Sequence, residues 1–193
     1  MQNGLGKHYS VQIWWFKTYF DHTMESQGVE DVHQLRVFIK RIRTVLSLTK
    51  IFSGEGFNKK PHFELFSPLF RKAGLLREIH VNEALLYEVG PGLLPLYRDY
   101  LSESKDSATA DLLAEGANFN FSAFEVLNKP LLERMNTLSD GQVAKQSAAY
   151  LTGKLNKVGA LLNLLNDNQK VHKMRIHLQN VRAALRLMHD LNP

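Results

Sequence analysis

The sequence has no cysteine, which excludes a disulfide framework and any thiolate metal site and fits a reducing cytosol. No apolar run is long enough to span a bilayer as a helix. The opening stretch MQNGLGKHYS lacks the charged and apolar regions of a signal peptide. These absences set the expectation of a cytoplasmic protein with no membrane association. Strand-like alternation of apolar and polar residues is missing throughout, which leaves helices. No two histidines stand four residues apart, so no helical His pair offers a metal site. His172 and His177 diverge by about 140° around a helix. No acid or nucleophile is set beside a base in a catalytic constellation. The expectation is a protein without enzymatic activity, metal or cofactor.

What is present is ample apolar material and an excess of positive charge. The 193 residues are 44% hydrophobic, which suits one domain or two small bundles. The net charge of +5 and the pI near 9.4 lean toward an anionic partner.

One stretch occurs twice. VHQLRVFIKRIRTVLSL runs from Val32 to Leu48, and VHKMRIHLQNVRAALRL runs from Val171 to Leu187, offset by 139 residues (Val32 against Val171). Val-His, an apolar residue with Arg (Leu35-Arg36, Met174-Arg175) and a second Arg (Arg43, Arg182) fall in register, which marks an internal repeat. At roughly 100° per residue, with His33 at 0°, Arg36 falls near 300°, Lys40 near 340° and Arg43 near 280°. Leu35, Phe38, Ile39, Ile42, Val45 and Leu46 fall between roughly 120° and 240°. The helix therefore carries an apolar stripe beside a separate row of His and cations. His172, Arg175 and Arg182 repeat the row. Gln179 replaces Lys40, Arg186 restores a charge a turn later, and His189 matches Lys50 at the end. Cations stacked on one helical face repel one another, and no acid falls inside either row. Such a face is a solvated basic surface, a site for an outside anion, or a surface matched by acids from another helix.

The rest of the chain reads as further helices. Tyr9 to about Glu25 carries Val11, Trp14, Trp15, Phe16, Tyr19 and Phe20, an aromatic face that reads as core rather than as a base-stacking platform. Gln27-Gly28 breaks this helix, and Glu30 and Asp31 favour the start of the first His helix. That helix ends near Phe52, before a turn at Ser53-Gly54-Glu55-Gly56. Pro61 opens a helix to about Lys72, Gly74 marks a bend or break, and LLREIHV opens a helix reaching Val89. Gly90-Pro91-Gly92 interrupts it, and Pro95 suits the first turn of a segment to about Ser102. The polar stretch Ser102 to Thr109 reads as a linker. Helix resumes from Ala110 to Leu138, kinked or divided at Pro130. Ser139-Asp140 caps a helix to about Leu165, and Asn166-Asp167-Asn168 turns into the second His helix. The pattern is an all-α bundle with one His-bearing helix in each half.

HQLRVFIKRIR (His33 to Arg43) and HKMRIHLQNVR (His172 to Arg182) resemble the paired His-x-Leu-Arg helices of the CHAD family, the conserved histidine α-helical domains. Gly74, Arg77 and Val81 resemble that family's Gly-x-x-Arg-Asp-x-x-Val segment, with Glu78 in place of the Asp. The resemblance covers most of the chain. It implies a single domain over 1–193, with half-repeats of roughly 1–102 and 110–193, built as two helical bundles about a pseudo-twofold axis. It also implies non-catalytic binding of inorganic polyphosphate, or another polyanion, at polyphosphate granules, through His33, Arg36, Lys40, Arg43, Arg77, His172, Arg175, Arg182 and Arg186. The chain is shorter than many members. Gln179 and Asn180 stand where the second copy is usually basic, which implies binding that is weaker or lopsided toward the first half.

Two such rows facing each other would form a basic groove that focuses the field on a polyanion. Arg offers a fork of donors to phosphate oxygens, and Lys a point charge. His33 and His172 either donate to phosphate when protonated or bond a carbonyl to fix packing. Arg77 either joins the groove or pairs with Glu78 or Glu83. Lys154 and Lys157 read as solvated lysines near the rim. Nucleic acid is expected to bind only nonspecifically. Two further readings stand beside this one. A histidine phosphotransfer-type signalling domain would use His33-Gln34-Leu35-Arg36, although Val37 replaces the small residue that normally follows. A helical scaffold for a protein partner is the other.

Overall fold

In a computed structural model, residues 4–54, 57–90, 92, 94–162 and 167–191 are described. They contain seven α-helices and no strand: α1 (Gly4–Ser26), α2 (Val29–Ser53), α3 (Lys60–Val89), α4 (Pro95–Ala117), α5 (Phe121–Thr137), α6 (Asp140–Leu162) and α7 (Asn168–Leu191). The all-α reading holds. None of these helices is long and apolar enough to cross a membrane.

The chain forms two compact units interleaved in sequence. One comprises residues 1–11, 41–59 and 128–193, and the other residues 12–40 and 60–127. In the second unit α3 packs on α4, and in the first α6 packs on α7. The second unit has an aromatic centre. Phe16 meets Phe66 edge-on at 5.1 Å, Phe66 meets Phe124 at 5.3 Å, and Phe119 lies 5.6 Å from Phe16. Tilted and T-shaped rings of this kind interlock favourably through their quadrupoles. In the first unit the buried Tyr9 hydroxyl donates to Asn128 Oδ1 at 2.6 Å, satisfying both groups.

The apolar stripe of α2 is buried as its spacing requires: Leu35, Ile39, Ile42 and Leu46 are fully enclosed. The aromatic face of α1 splits instead. Phe16 and Phe20 are buried with Leu5 and Tyr9, which lie on the same helical stripe, whereas Trp14 is 59% exposed and Val11 and Trp15 are exposed beside it. Trp14 sits about 160° around the helix from Phe16. Trp15 is partly covered by stacking on Tyr19 and Phe38.

One expected break moves, and two others do not divide their helices. The stretch Ser102 to Thr109 is not a linker but the middle of α4. Leu101, Ala108 and Leu112 give it a buried face, and Lys105 pairs with Glu83 of α3 at 2.9 Å. The break falls at Asn118–Asn120, where the Ala123 N–H donates to Asn120 Oδ1 and caps α5. Pro130 lies inside α5 and does not divide it. Gly74 and Pro68 lie inside an unbroken α3. The cap expected at Ser139 is present as a capping box: Gln142 N–H donates to Ser139 Oγ, and Ser139 N–H donates to Gln142 Oε1. Asp167 caps α7 by accepting from Gln169 N–H at 2.8 Å. Glu55, Gly56, Pro91 and residues 163–166, on which parts of three expected turns and the expected helix end near Leu165 fall, lie outside the described residues.

Candidate functional site

Because the apolar stripe of α2 is turned into the core, its opposite margin carries His33, Arg36, Lys40 and Arg43 along one side. His33, Arg36 and Arg43 are half-buried and Lys40 is exposed. The neighbouring helix α3 supports the first part of this row. Arg36 Nη1 donates to the Phe70 carbonyl oxygen at 2.5 Å, and its Cζ lies 4.2 Å from the centre of the Phe70 ring. Lys40 Nζ lies 5.9 Å from the same ring centre. One aromatic face thus attracts two cations of the row.

Arg77, one turn beyond Gly74 on α3, adds a third cation. Its charge acts on Arg36, whose pKa is lowered first by burial and then by Arg77. Lys40 is lowered by burial and then by Arg36. Arginine stays charged regardless, so burial and the neighbouring charge penalise positive charge here without removing it. An arriving anion would relieve that penalty. Of the two partners open to Arg77, Glu83 is engaged by Lys105. Arg77 itself lies 3.5 Å from the Val29 carbonyl oxygen, a contact at the weak limit of a hydrogen bond.

Further along α2 a second group of cations assembles. Arg43 is lowered by burial. Lys59, in the segment leading to α3, folds back so that its Nζ donates to Ser47 Oγ at 3.0 Å. Its pKa is lowered by burial, then by Lys50, Arg43 and Lys154. Lys154 is half-buried rather than freely solvated, with Nζ 5.3 Å from the Tyr150 ring centre. Lys50 and Lys59 were not among the site residues expected from sequence. Lys50 had a signal, since it lies seven residues beyond Arg43 on the same face. Nothing in the local pattern shows Lys59 returning to Ser47.

The α7 row is differently placed. His172, Arg175, Arg182 and Arg186 are all exposed, and Val171, Leu178 and Leu185 are exposed as well. Val181, Ala184 and Leu187 form the buried side. His177, which diverges from His172 around the helix, is half-buried. Its Nδ1 is enclosed without a partner, and burial followed by the charges of Lys154 and Lys157 lowers its pKa.

An all-helical chain with a supported His-Arg-Lys row matches a known class. The CHAD domain family model matches residues 16–193, and the chain belongs to that family. The crystal structure of the CHAD domain from the plant Ricinus communis has a similar fold, with a TM-score of 0.75 at 18% sequence identity. The match covers 97% of this chain and 65% of that one, so the chain spans about two thirds of the plant chain's length. No curated protein matches the sequence.

Proposed function

We propose that this CHAD domain binds inorganic polyphosphate without hydrolysing it. The observation that carries the reading is the gathering of Arg36 and Lys40 at the Phe70 ring, with Arg77 close enough to act on Arg36, so that burial and like charge penalise the charges of Arg36 and Lys40. Arg43, Lys50, Lys59 and Lys154 extend the same chemistry. Polyphosphate is a flexible chain of anions with no base edges to read, so recognition rests on charge and on donor geometry. Arginine forks supply directed donors to phosphate oxygens, and lysines supply point charges. The exposed α7 row of His172, Arg175, Arg182 and Arg186 takes a second length of the polyphosphate chain. Exposure of His172 suits a ligand-facing role rather than one in packing.

The activity requires no cofactor, and the expected place of action is the cytoplasm, at polyphosphate granules. Nucleic acid is a nonspecific competitor drawn by charge. Titration with long-chain polyphosphate and with tRNA at two salt concentrations tests the reading. Polyphosphate should bind more tightly at both, with no orthophosphate released in the presence of Mg²⁺. Equal or tighter binding of tRNA would contradict it. So would orthophosphate release that disappears on changing a named side chain.

A further inference from the structure

Helical glycines are usually a cost, because glycine loses more backbone freedom than alanine and has no side chain to pack. On α6, a Cβ at Gly153 or Gly159 would meet nothing within 4 Å. Gly74, in the middle of α3, differs. A Cβ there would collide with Nη1 of Arg36 and come within 3.2 Å of its Cζ and 3.5 Å of its Nη2. The guanidinium of Arg36 occupies the space a side chain would fill. The Phe70 carbonyl accepts from one of its nitrogens and the Phe70 ring lies beside it.

These three features act against a known disturbance. Arg77 repels Arg36, and a long side chain beside a like charge swings away unless something holds it. We propose that Gly74 and Phe70 are positioning residues. The gap at Gly74 and the ring and carbonyl of Phe70 seat the Arg36 guanidinium, so that it meets phosphate already oriented. Ordering the side chain before binding removes a loss of freedom that otherwise opposes association. This inference rests on the polyphosphate reading. It adds two residues that carry no net charge, so neither can act on phosphate as a counter-charge.

That distinction gives the test. The full chain and its Gly74→Ala, Arg36→Ala, Gly74→Ala/Arg36→Ala and Gly159→Ala variants are titrated with long-chain polyphosphate over a range of salt, and their thermal midpoints are measured. Gly74→Ala displaces only the far end of a flexible side chain. Its midpoint should therefore hold or rise, as for Gly159→Ala. Its affinity should fall by about three- to tenfold while the salt slope stays that of the wild type, because no charge is lost. Gly159→Ala should bind as the wild type does. In the Arg36→Ala background, Gly74→Ala should cause no further loss, since the group it displaces is gone. Phe70→Leu should weaken binding and Phe70→Tyr should restore it.

Wild-type affinity in Gly74→Ala overturns the positioning role and leaves the polyphosphate reading standing. An equal loss with or without Arg36 does the same, because it makes Gly74 a matter of general structure. Failure of the wild type to bind polyphosphate overturns the reading itself and the positioning role with it.

Discussion

On α2 the cations of the row are held by neighbouring segments, and on α7 the matching cations stand in solvent. Arg36 leans on Phe70 of α3, and Lys59 reaches back to Ser47 in the group of charges that includes Arg43. Arg175 and Arg182, their counterparts in the repeat, are exposed. The side chains are nearly the same, so the difference lies in what each helix packs against. A cation seated in low-dielectric surroundings interacts strongly with an anion, and its geometry is set in advance. An exposed cation is screened by water and salt and must be ordered on binding. On the proposed reading the α2 row is expected to bind polyphosphate more strongly than the α7 row, which adds mainly long-range attraction.

Changes to each row can break or sharpen this contrast. The largest effect is expected from Arg36→Ala, which should cost about 1.5–3 kcal/mol of polyphosphate affinity, the range for a charge-assisted contact. Arg36→Lys should cost less, because the charge stays while the fork is lost. Binding isotherms at fixed salt check both, and a Lys variant as weak as the Ala variant would deny the fork its role. Lys59→Met comes next. It should weaken binding by about 1 kcal/mol while the thermal midpoint holds or rises, because it removes a lysine that Lys50, Arg43 and Lys154 repel. A midpoint that falls together with affinity would make Lys59 a structural residue instead. Arg182→Ala should cost about 0.5–1 kcal/mol of affinity, the scale of an exposed charge. Arg41→Ala removes an exposed cation of α2 that lies off the row, at roughly 80° when His33 is at 0°. It should cost less than about 0.5 kcal/mol, which separates the row from net charge.

A pH effect is expected on stability. His62 and His80, both on α3, are buried, and burial is the first cause lowering their pKa below the usual histidine value. A backbone hydrogen bond at Leu127 partly offsets this for His62. For His80, Lys105 and Arg77 add to the lowering and Glu83 opposes it. Below the ordinary histidine pKa the unfolded chain binds more protons than the folded one. Stability present above that value is therefore lost as pH falls toward the folded pKa. The urea midpoint should be lower at about pH 5.5 than at about pH 7.5, and His80→Leu should flatten the change. A midpoint independent of pH across that window would contradict the assignment.

Much of this was legible from periodicity alone. The stripe from Leu35 to Leu46 and the row from His33 to Arg43 follow from helical spacing, because one helix fixes its own faces. Repetition of the motif pointed to the family. What spacing does not show is the neighbour. Gly74 reads as a break in a linear pattern and becomes a seat only when Arg36 is brought against it. Ser102 to Thr109 reads as polar linker because its buried positions, Leu101, Ala108 and Leu112, are sparse and partly outside that stretch. Trp14 reads as core by type, yet lies across the helix from Phe16. Lys59 lacks any local signal, since nothing in the linear pattern shows its Nζ reaching Ser47.

The matched arginines of the repeat give the most direct test. Arg36→Ala and Arg175→Ala remove the same charge from equivalent positions. Polyphosphate affinity is measured for both and for the wild type across a series of salt concentrations. By analogy with nucleic acids, each variant should lower the log–log salt slope by nearly one unit. Arg36→Ala should nonetheless lose about tenfold more affinity than Arg175→Ala at every salt concentration, a gap of about 1.4 kcal/mol. Equal losses from the two variants would mean that binding follows net charge, and that the support given by α3 contributes nothing to it.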